Sequence, residues 1–363
     1  MKPVVAFGEI MIRVDMPGHR RIRQAMPGLV EVSFAGAEAN VAVSLANFGG
    51  SARLVTALPD HSITEACISV LNGLNVDTRY ILRTKEGRFG LYYVETGANQ
   101  RPSTVVYDRE RASVSLVEGD RYPWPEIFGD AAWFHVTGIT PALSRQAADA
   151  VRLATAEAQK AGLTVSCDLN YRSRLWNWKP GVSPSDLARE TMRGVLPNIH
   201  VVIANEEDAA MVLGNRAKET DDEAGKLAAD RYPEVAREIV RRFPNVRQVA
   251  ITLRESFSAT HNNWGGMLYD ASGDAPYFAP LREGRYTPYE IRSIVDRVGG
   301  GDAFAGALIF ALSTPDLAEP SRAVAFAAAA SCLAHSIHGD FNHSSRKEVE
   351  ALMSGLGSGR VVR

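Results

Sequence analysis

The sequence predicts an α/β protein: a mostly parallel central sheet with helices on both faces and a small β-sheet lid. Three observations predict it. Short β-branched apolar runs alternate with Ala-rich amphipathic stretches along most of the chain, the pattern of repeated strand–helix units. Glycine closes two of the helical stretches, Gly49-Gly50 and Gly162, as a stop signal. Two segments, about 10–34 and 88–118, break the rhythm with short polar-alternating pieces and no long helix.

The elements follow in order. Val4–Phe7 is expected as the first strand, Ala39–Phe48 as a helix and Arg53–Ala57 as a strand. Thr64–Leu71 reads as a helix and Trp133–Val136 as a strand ending at Thr137-Gly138. Ser144–Ala161 is a long helix, followed by strands at Leu163–Asp168, Val201–Ala204 and Val249–Leu253. Gly301–Leu312 and Ser321–His335 close the pattern as Ala-rich helices. Within the two irregular segments, Phe89–Glu95 and Thr104–Tyr107 read as strands of a small antiparallel sheet, placed to act as a lid. Asn215–Arg242 is charge-rich and reads as an exposed, partly helical insertion.

Size and charge limit what such a chain does. Its 363 residues suffice for one large core, so residues 1–363 are expected to form a single domain with the lid inside it. A formal net charge of −2 provides no field that would draw in nucleic acid or an anionic membrane. No apolar run reaches the ~20 residues of a membrane span, and Val4–Phe7 is too short for a signal core. Cys67, Cys167 and Cys332 are scattered and odd in number, as in a reduced cytoplasmic protein.

The chemistry concentrates in Ile294–Phe310, IVDRVGGGDAFAGALIF. Gly299-Gly300-Gly301 leave backbone amides unobstructed, and the helix that follows adds its unpaired N–H groups. Together they form an anion site suited to phosphate. Asp302 beside it is ill-suited to hold an anion, but well suited to take a proton from a hydroxyl that attacks a phosphoryl group. An aspartate that merely caps the helix explains the same residues. No P-loop and no dinucleotide fingerprint is present.

Asp296-Arg297-Val298-Gly299-Gly300-Gly301-Asp302 resembles the C-terminal signature of the ribokinase-like (PfkB) carbohydrate kinases, usually DTxGAGD. Arg297 stands where threonine is usual and Gly300 where alanine is usual. Phe34-Ala35-Gly36-Ala37-Glu38-Ala39-Asn40 resembles the family's N-terminal sugar-binding turn. Phe89–Tyr93, Val105–Arg109, His135–Ala142, Asp168–Arg172 and His335–Asn342 resemble the 2-keto-3-deoxygluconate kinases within it. The resemblance runs over nearly the whole chain and implies a ribokinase-like fold.

It also implies roles. Asp302 would be the catalytic base, with the amides of Gly299, Gly300 and Gly301 around the transferring group. Gly36, Asn40, Tyr92, Tyr107, Arg109 and Arg172 would face the sugar acid. A carboxylate with several hydroxyls calls for a planar cationic donor and tyrosine hydroxyls, which agrees. Asn205, Thr252, Arg254, Gly299, Gly301 and Asn342 would face ATP, and Glu206 or Glu207 would stand in the outer shell of Mg²⁺. The family's glycine turn after the strand near Leu253 is missing: Arg254 takes the place of its first glycine. Either Arg254 brings a positive charge to the phosphates or the turn differs.

The expected function is therefore ATP-dependent phosphorylation of 2-keto-3-deoxygluconate to its 6-phosphate. The alternatives are a kinase for a neutral ketohexose such as fructose, and a non-catalytic sugar- or nucleotide-binding protein on the same fold. Exposed lid edges are expected to pair across a homodimer or higher homo-oligomer.

Overall fold

The computed structural model describes residues 1–205, 208 and 231–355. Eleven strands form the main sheet. Seven of them run parallel: β1 (Val4–Phe7), β4 (Ala52–Pro59), β5 (Val76–Asp77), β9 (Trp133–Thr137), β10 (Thr164–Asp168), β11 (Val201–Ala204) and β12 (Gln248–Ser258). β6 (Ile81–Thr84) also pairs in parallel with β4. At the other end β13 (His261–Asp270), β14 (Ala275–Ala279) and β17 (Tyr289–Ile291) add antiparallel strands. β15 (Leu281–Arg282) and β16 (Arg285–Tyr286) form a separate ribbon.

Central strands are buried on both faces, which is why they read as unbroken Val/Ile/Ala runs. One apolar layer forms under the helices Ala37–Asn47, Gly300–Leu312 and Pro320–Ala334. A second forms under Arg145–Lys160, Pro184–Met192 and Tyr232–Arg242. Helix ends follow local chemistry. Ser144 accepts from Ala147 N at 3.0 Å at the start of Arg145–Lys160, and Gly162 sits at φ +78° just past its end. The charge-rich stretch read as partly helical is helical over Tyr232–Arg242, while the part from Asn215 to residue 230 lies outside the described residues.

The lid is a four-stranded sheet in the order β3 (Glu31–Ala35), β2 (Met11–Asp15), β7 (Gly90–Glu95), β8 (Thr104–Asp108). Its outer pairs are antiparallel, as expected, but the central pair β2–β7 is parallel, with Arg13 opposite Tyr92. The two lid segments are separated in sequence by β4, β5 and β6. β7 therefore reaches β2 by a long crossover rather than a hairpin, and that permits parallel pairing.

The parallel strands aim their carboxyl ends at one edge of the sheet. In open α/β sheets that edge is where ligands bind. The lid stands over the same edge.

Candidate active site

A cavity of about 390 Å³ opens at this edge. Strand ends supply Asp168, Asn170, Arg172, Asn205 and Asp208, the lid supplies Met11, Tyr92 and Tyr107, and the glycine turn supplies Gly299, Gly301 and Asp302. Sequence signatures more than 250 residues apart thus share one space.

Gly299 precedes the helix Gly300–Leu312 with φ +83°, a left-handed backbone that favours glycine. A methyl group there would also meet the carbonyl oxygen of Asp340 at 2.4 Å. The departure at Gly300 has a packing cause. A side chain at this position would meet the imidazole of His335 at 2.9 Å, so the ring fills the space an alanine methyl would take. Gly300 is buried and does not line the cavity, whereas Gly301 is exposed with open space before it. Gly299 and Gly301, which flank Gly300, line the cavity.

Asp302 lies in the first turn of that helix and is partly exposed to the cavity. Its Oδ2 accepts from Asn40 Nδ2 at 2.6 Å. Asn40 Oδ1 in turn accepts from Gly36 N at 3.2 Å, which fixes the direction of its amide. The surrounding protein, then Asp340 and Glu38, raise the Asp302 carboxyl to about 7, against the pull of Asn40 and Arg172. A carboxyl near 7 is poised to exchange protons at neutral pH. A helix cap needs no such environment, and no side-chain cap bond forms at this helix start.

Arg172 is exposed and lines the cavity, and its guanidinium donates only to the carbonyl of Tyr171 at 3.3 Å among the described residues. Arg109 lines the same space but forms a close ion pair with Glu9 and stacks 5.4 Å over Tyr107. Its charge is thereby already answered. Tyr92 and Tyr107 stack with centroids 5.8 Å apart. The Tyr92 hydroxyl is spent on Asp340 at 2.8 Å, so Tyr107, half exposed, is the tyrosine whose hydroxyl has no partner among the described residues.

On the other side, Thr252, Arg254, Asn262, Trp264, Arg297 and His335 line the cavity. The strand expected to stop at Leu253 continues to Ser258 and turns into β13, so a β-hairpin stands where the family's glycine turn was sought. Arg297 donates to Asn262 Oδ1 at 2.7 Å and to the Ser258 carbonyl at 3.1 Å, which anchors it to that hairpin. Burial and the neighbouring Arg254 lower the Arg297 guanidinium from its usual value. The buried Nδ2 of Asn262, Nε1 of Trp264 and Nε of Arg297 have no partner among the described residues. Two of the three departures from the pattern, Arg254 and Arg297, meet here as a pair of cations.

Asn342 does not line the cavity. It is 1% exposed, its Oδ1 accepts from Ser344 N and its carbonyl from Asn47, so it stands behind the cavity lining. Glu206 and Glu207 lie outside the described residues. Among the described residues of that segment, Asp208 lines the cavity, and its N–H donates to Asn205 Oδ1 at 2.8 Å. Asp168 faces it. Burial, Asp208 and Asp302 push the Asp168 carboxyl well above the usual range. Sequence reading marked Asp168–Arg172 as a motif but gave a role within it only to Arg172, and gave none to Asp208, because a carboxylate at a strand end or in a first helical turn has an ordinary local role. Asn170 Oδ1 is buried with no partner among the described residues. Two carboxylates and an orphan amide oxygen suit a hydrated Mg²⁺ that keeps its waters and borrows phosphate oxygens.

The comparisons agree with this geometry. A family model described as pfkB family carbohydrate kinase matches residues 1–240. The 2-dehydro-3-deoxygalactonokinase of Haloferax volcanii is 34% identical over 356 residues, spanning 98% of this chain and 98% of that protein. The 2-dehydro-3-deoxygluconokinase of Thermoproteus tenax is 26% identical over 98% of this chain and 95% of its own. A solved 2-dehydro-3-deoxygluconokinase from Thermotoga maritima has a TM-score of 0.85 at 42% identity, covering 97% of this chain and 98% of that one. An ATP-bound fructokinase from Xylella fastidiosa, 21% identical over 98% of this chain and 99% of its own, shares the fold with a TM-score of 0.74.

Proposed function

The chain belongs to the pfkB family of carbohydrate kinases, and from that premise we propose that it transfers the γ-phosphoryl group of ATP to the primary hydroxyl of 2-keto-3-deoxygluconate. The observation that carries the sugar-acid reading is Arg172, a cavity-facing guanidinium with no carboxylate partner among the described residues. A planar cation held at a strand end offers a substrate carboxylate two parallel donors. The named sugar-acid kinases at 34% and 42% identity support the same reading. The fructokinase of Klebsiella pneumoniae, at 28% identity over 88% of this chain and 87% of its own, is more distant.

The mechanism is in-line transfer. Asp302 takes the proton of the attacking hydroxyl as the O–P bond forms and the bond to the ADP oxygen breaks. Asn40 holds Asp302 in place by one oxygen and leaves the other to the substrate. The amides around Gly299 and Gly301 hold the transferring group, and Arg254 with Arg297 meets the nucleotide phosphates. Asp168, Asn170 and Asp208 would hold a Mg²⁺ ion through water, and the ion would supply charge neutralisation to the phosphates. Tyr107 and the lid cover the sugar and exclude water.

Two further readings belong with this one. Leu29, Val32 and Val106 are exposed on the lid, which supports pairing of two copies there. The three cysteines are free and no described helix is long and apolar enough to cross a membrane, which supports a cytoplasmic setting. The test of function is a panel of acceptors with ATP: 2-keto-3-deoxygluconate, its galactose epimer and fructose. Highest kcat/KM for a sugar acid supports the reading, and highest kcat/KM for fructose replaces it with the neutral-sugar alternative.

A further inference from the structure

Arg13 lies on lid strand β2 and is completely buried. Its guanidinium meets three carboxylates from three parts of the chain. Nε and Nη2 donate to Asp15 at 2.7 Å each, Nη2 also to Asp296, and Nη1 to Asp340. Asp296 opens the glycine turn. It accepts from Val298 N at 3.0 Å and from Gly339 N at 3.2 Å, so it ties the turn to the loop that carries Asp340. Asp340 accepts from the Tyr92 hydroxyl at 2.8 Å and, at 3.3 Å, from the same Asn40 amide that holds Asp302. A continuous polar path therefore leads from the lid through Arg13, Asp340 and Asn40 to Asp302.

Such a cluster is costly to bury unless all its charges are answered. One guanidinium among three carboxylates leaves a net negative cluster beside the proposed base. The field of that cluster favours the protonated form of Asp302, and Arg13 is the group that limits it.

We propose that Arg13 and Asp340 are positioning residues of the phosphoryl-transfer reaction, which fix the glycine turn and set the basicity of Asp302 through Asn40. The inference rests on the reading of Asp302 as the base. The charged groups around Asp302 are Asp340 and Glu38 on one side, and Asp168 and Arg172 on the other. Those around Asp340 are Arg13 and Asp296, with the Tyr92 hydroxyl on it. His338 lies 4.0 Å from both Asp15 and Asp296 but closer, at 3.1 Å, to exposed Glu31. Burial pushes Asp340 upward and Arg13 opposes that shift; the contact of Arg13 Nη1 with Asp340 Oδ1 is what pairs the two groups.

The test is the pH profile of kcat/KM for the sugar acid, with KM for ATP measured alongside. Asp340→Asn removes one negative charge at nearly constant shape. Its acid limb should move down by about 0.5 pH unit or more, with KM for ATP within about twofold of wild type. Arg13→Gln should move the limb the other way, because the remaining carboxylates keep a proton to higher pH. Arg13→Lys, which keeps the charge, should restore the wild-type position. Where Arg13→Gln does not accumulate as folded protein, Asp340→Asn decides alone. Active variants whose limb stays at the wild-type position overturn the inference, as does a loss confined to KM for ATP. A wild-type enzyme with no activity on ATP and sugar acid instead removes the functional reading beneath it.

Discussion

Asn40 Nδ2 donates to Asp302 Oδ2 at 2.6 Å, joining the turn that opens the sugar side of the cavity to the helix that opens its phosphate side. Asp302, the proposed base, is thus held across the cavity by Asn40, a residue 262 positions away. Asp302→Asn should leave the fold intact and lower kcat by ~10²–10⁴. Circular dichroism and steady-state rates check this. A near-normal kcat removes Asp302 from the role.

The same environment gives a pH prediction. Asp302 is raised to about 7, and a base acts only when deprotonated. The plot of kcat/KM against pH should therefore fall with unit slope below about pH 7 and level off above it. The stability consequence has the opposite sense. A carboxyl raised above its unfolded value near 4 contributes most to stability at low pH and loses that contribution as pH rises through 7. The melting temperature of Asp302→Asn should therefore exceed that of wild type, and the gap should widen from pH 5 to pH 8.

Arg172→Ala should raise KM for the sugar acid by ~10-fold or more, the loss of a charged hydrogen-bonding partner. KM for ATP should change little. Arg172→Lys keeps the charge and loses the fork, and should fall between. Equal losses for sugar acid and fructose would argue that Arg172 shapes the site without reading a carboxylate.

Arg254 and Arg297 face the cavity together, anchored by the β12–β13 hairpin. Arg254→Ala should raise KM for ATP by ~10-fold and steepen nothing on the sugar side. Direct titration with ATP and AMP separates phosphate contacts from base contacts. A wild-type preference for ATP over AMP should shrink in the variant, and should shrink also as salt rises.

The parallel core was legible because strands buried on both faces leave continuous apolar runs, as in Val201–Ala204. The hairpin β13 was not. Its Asn262-Asn263-Trp264-Gly265-Gly266 reads as a turn by composition, but a side chain at Gly266 would meet the Phe304 ring at 2.6 Å. Helix packing demands the glycine inside a strand. Asp302, Asn40 and Arg172 were legible because each sits in a motif. Arg13 was not, because a charged residue in a lid strand reads as solvent-facing. Nothing local announces that Asp296 and Asp340, 283 and 327 residues away, cover it. Tyr92 and Arg109 were found at the cavity, but the Tyr92 hydroxyl is engaged by Asp340 and Arg109 Nη2 by Glu9, pairings that only the tertiary structure reveals.

The most direct measurement incubates the purified chain with 2-keto-3-deoxygluconate, ATP and Mg²⁺ and follows the products by ³¹P NMR, with Asp302→Asn as the control. One ADP and one sugar-acid 6-phosphate per ATP consumed are expected for the wild type, and a rate lower by ~10²–10⁴ for the variant. Nucleotide that stays as ATP in the presence of the sugar acid, or equal turnover by the two proteins, would contradict the proposed function.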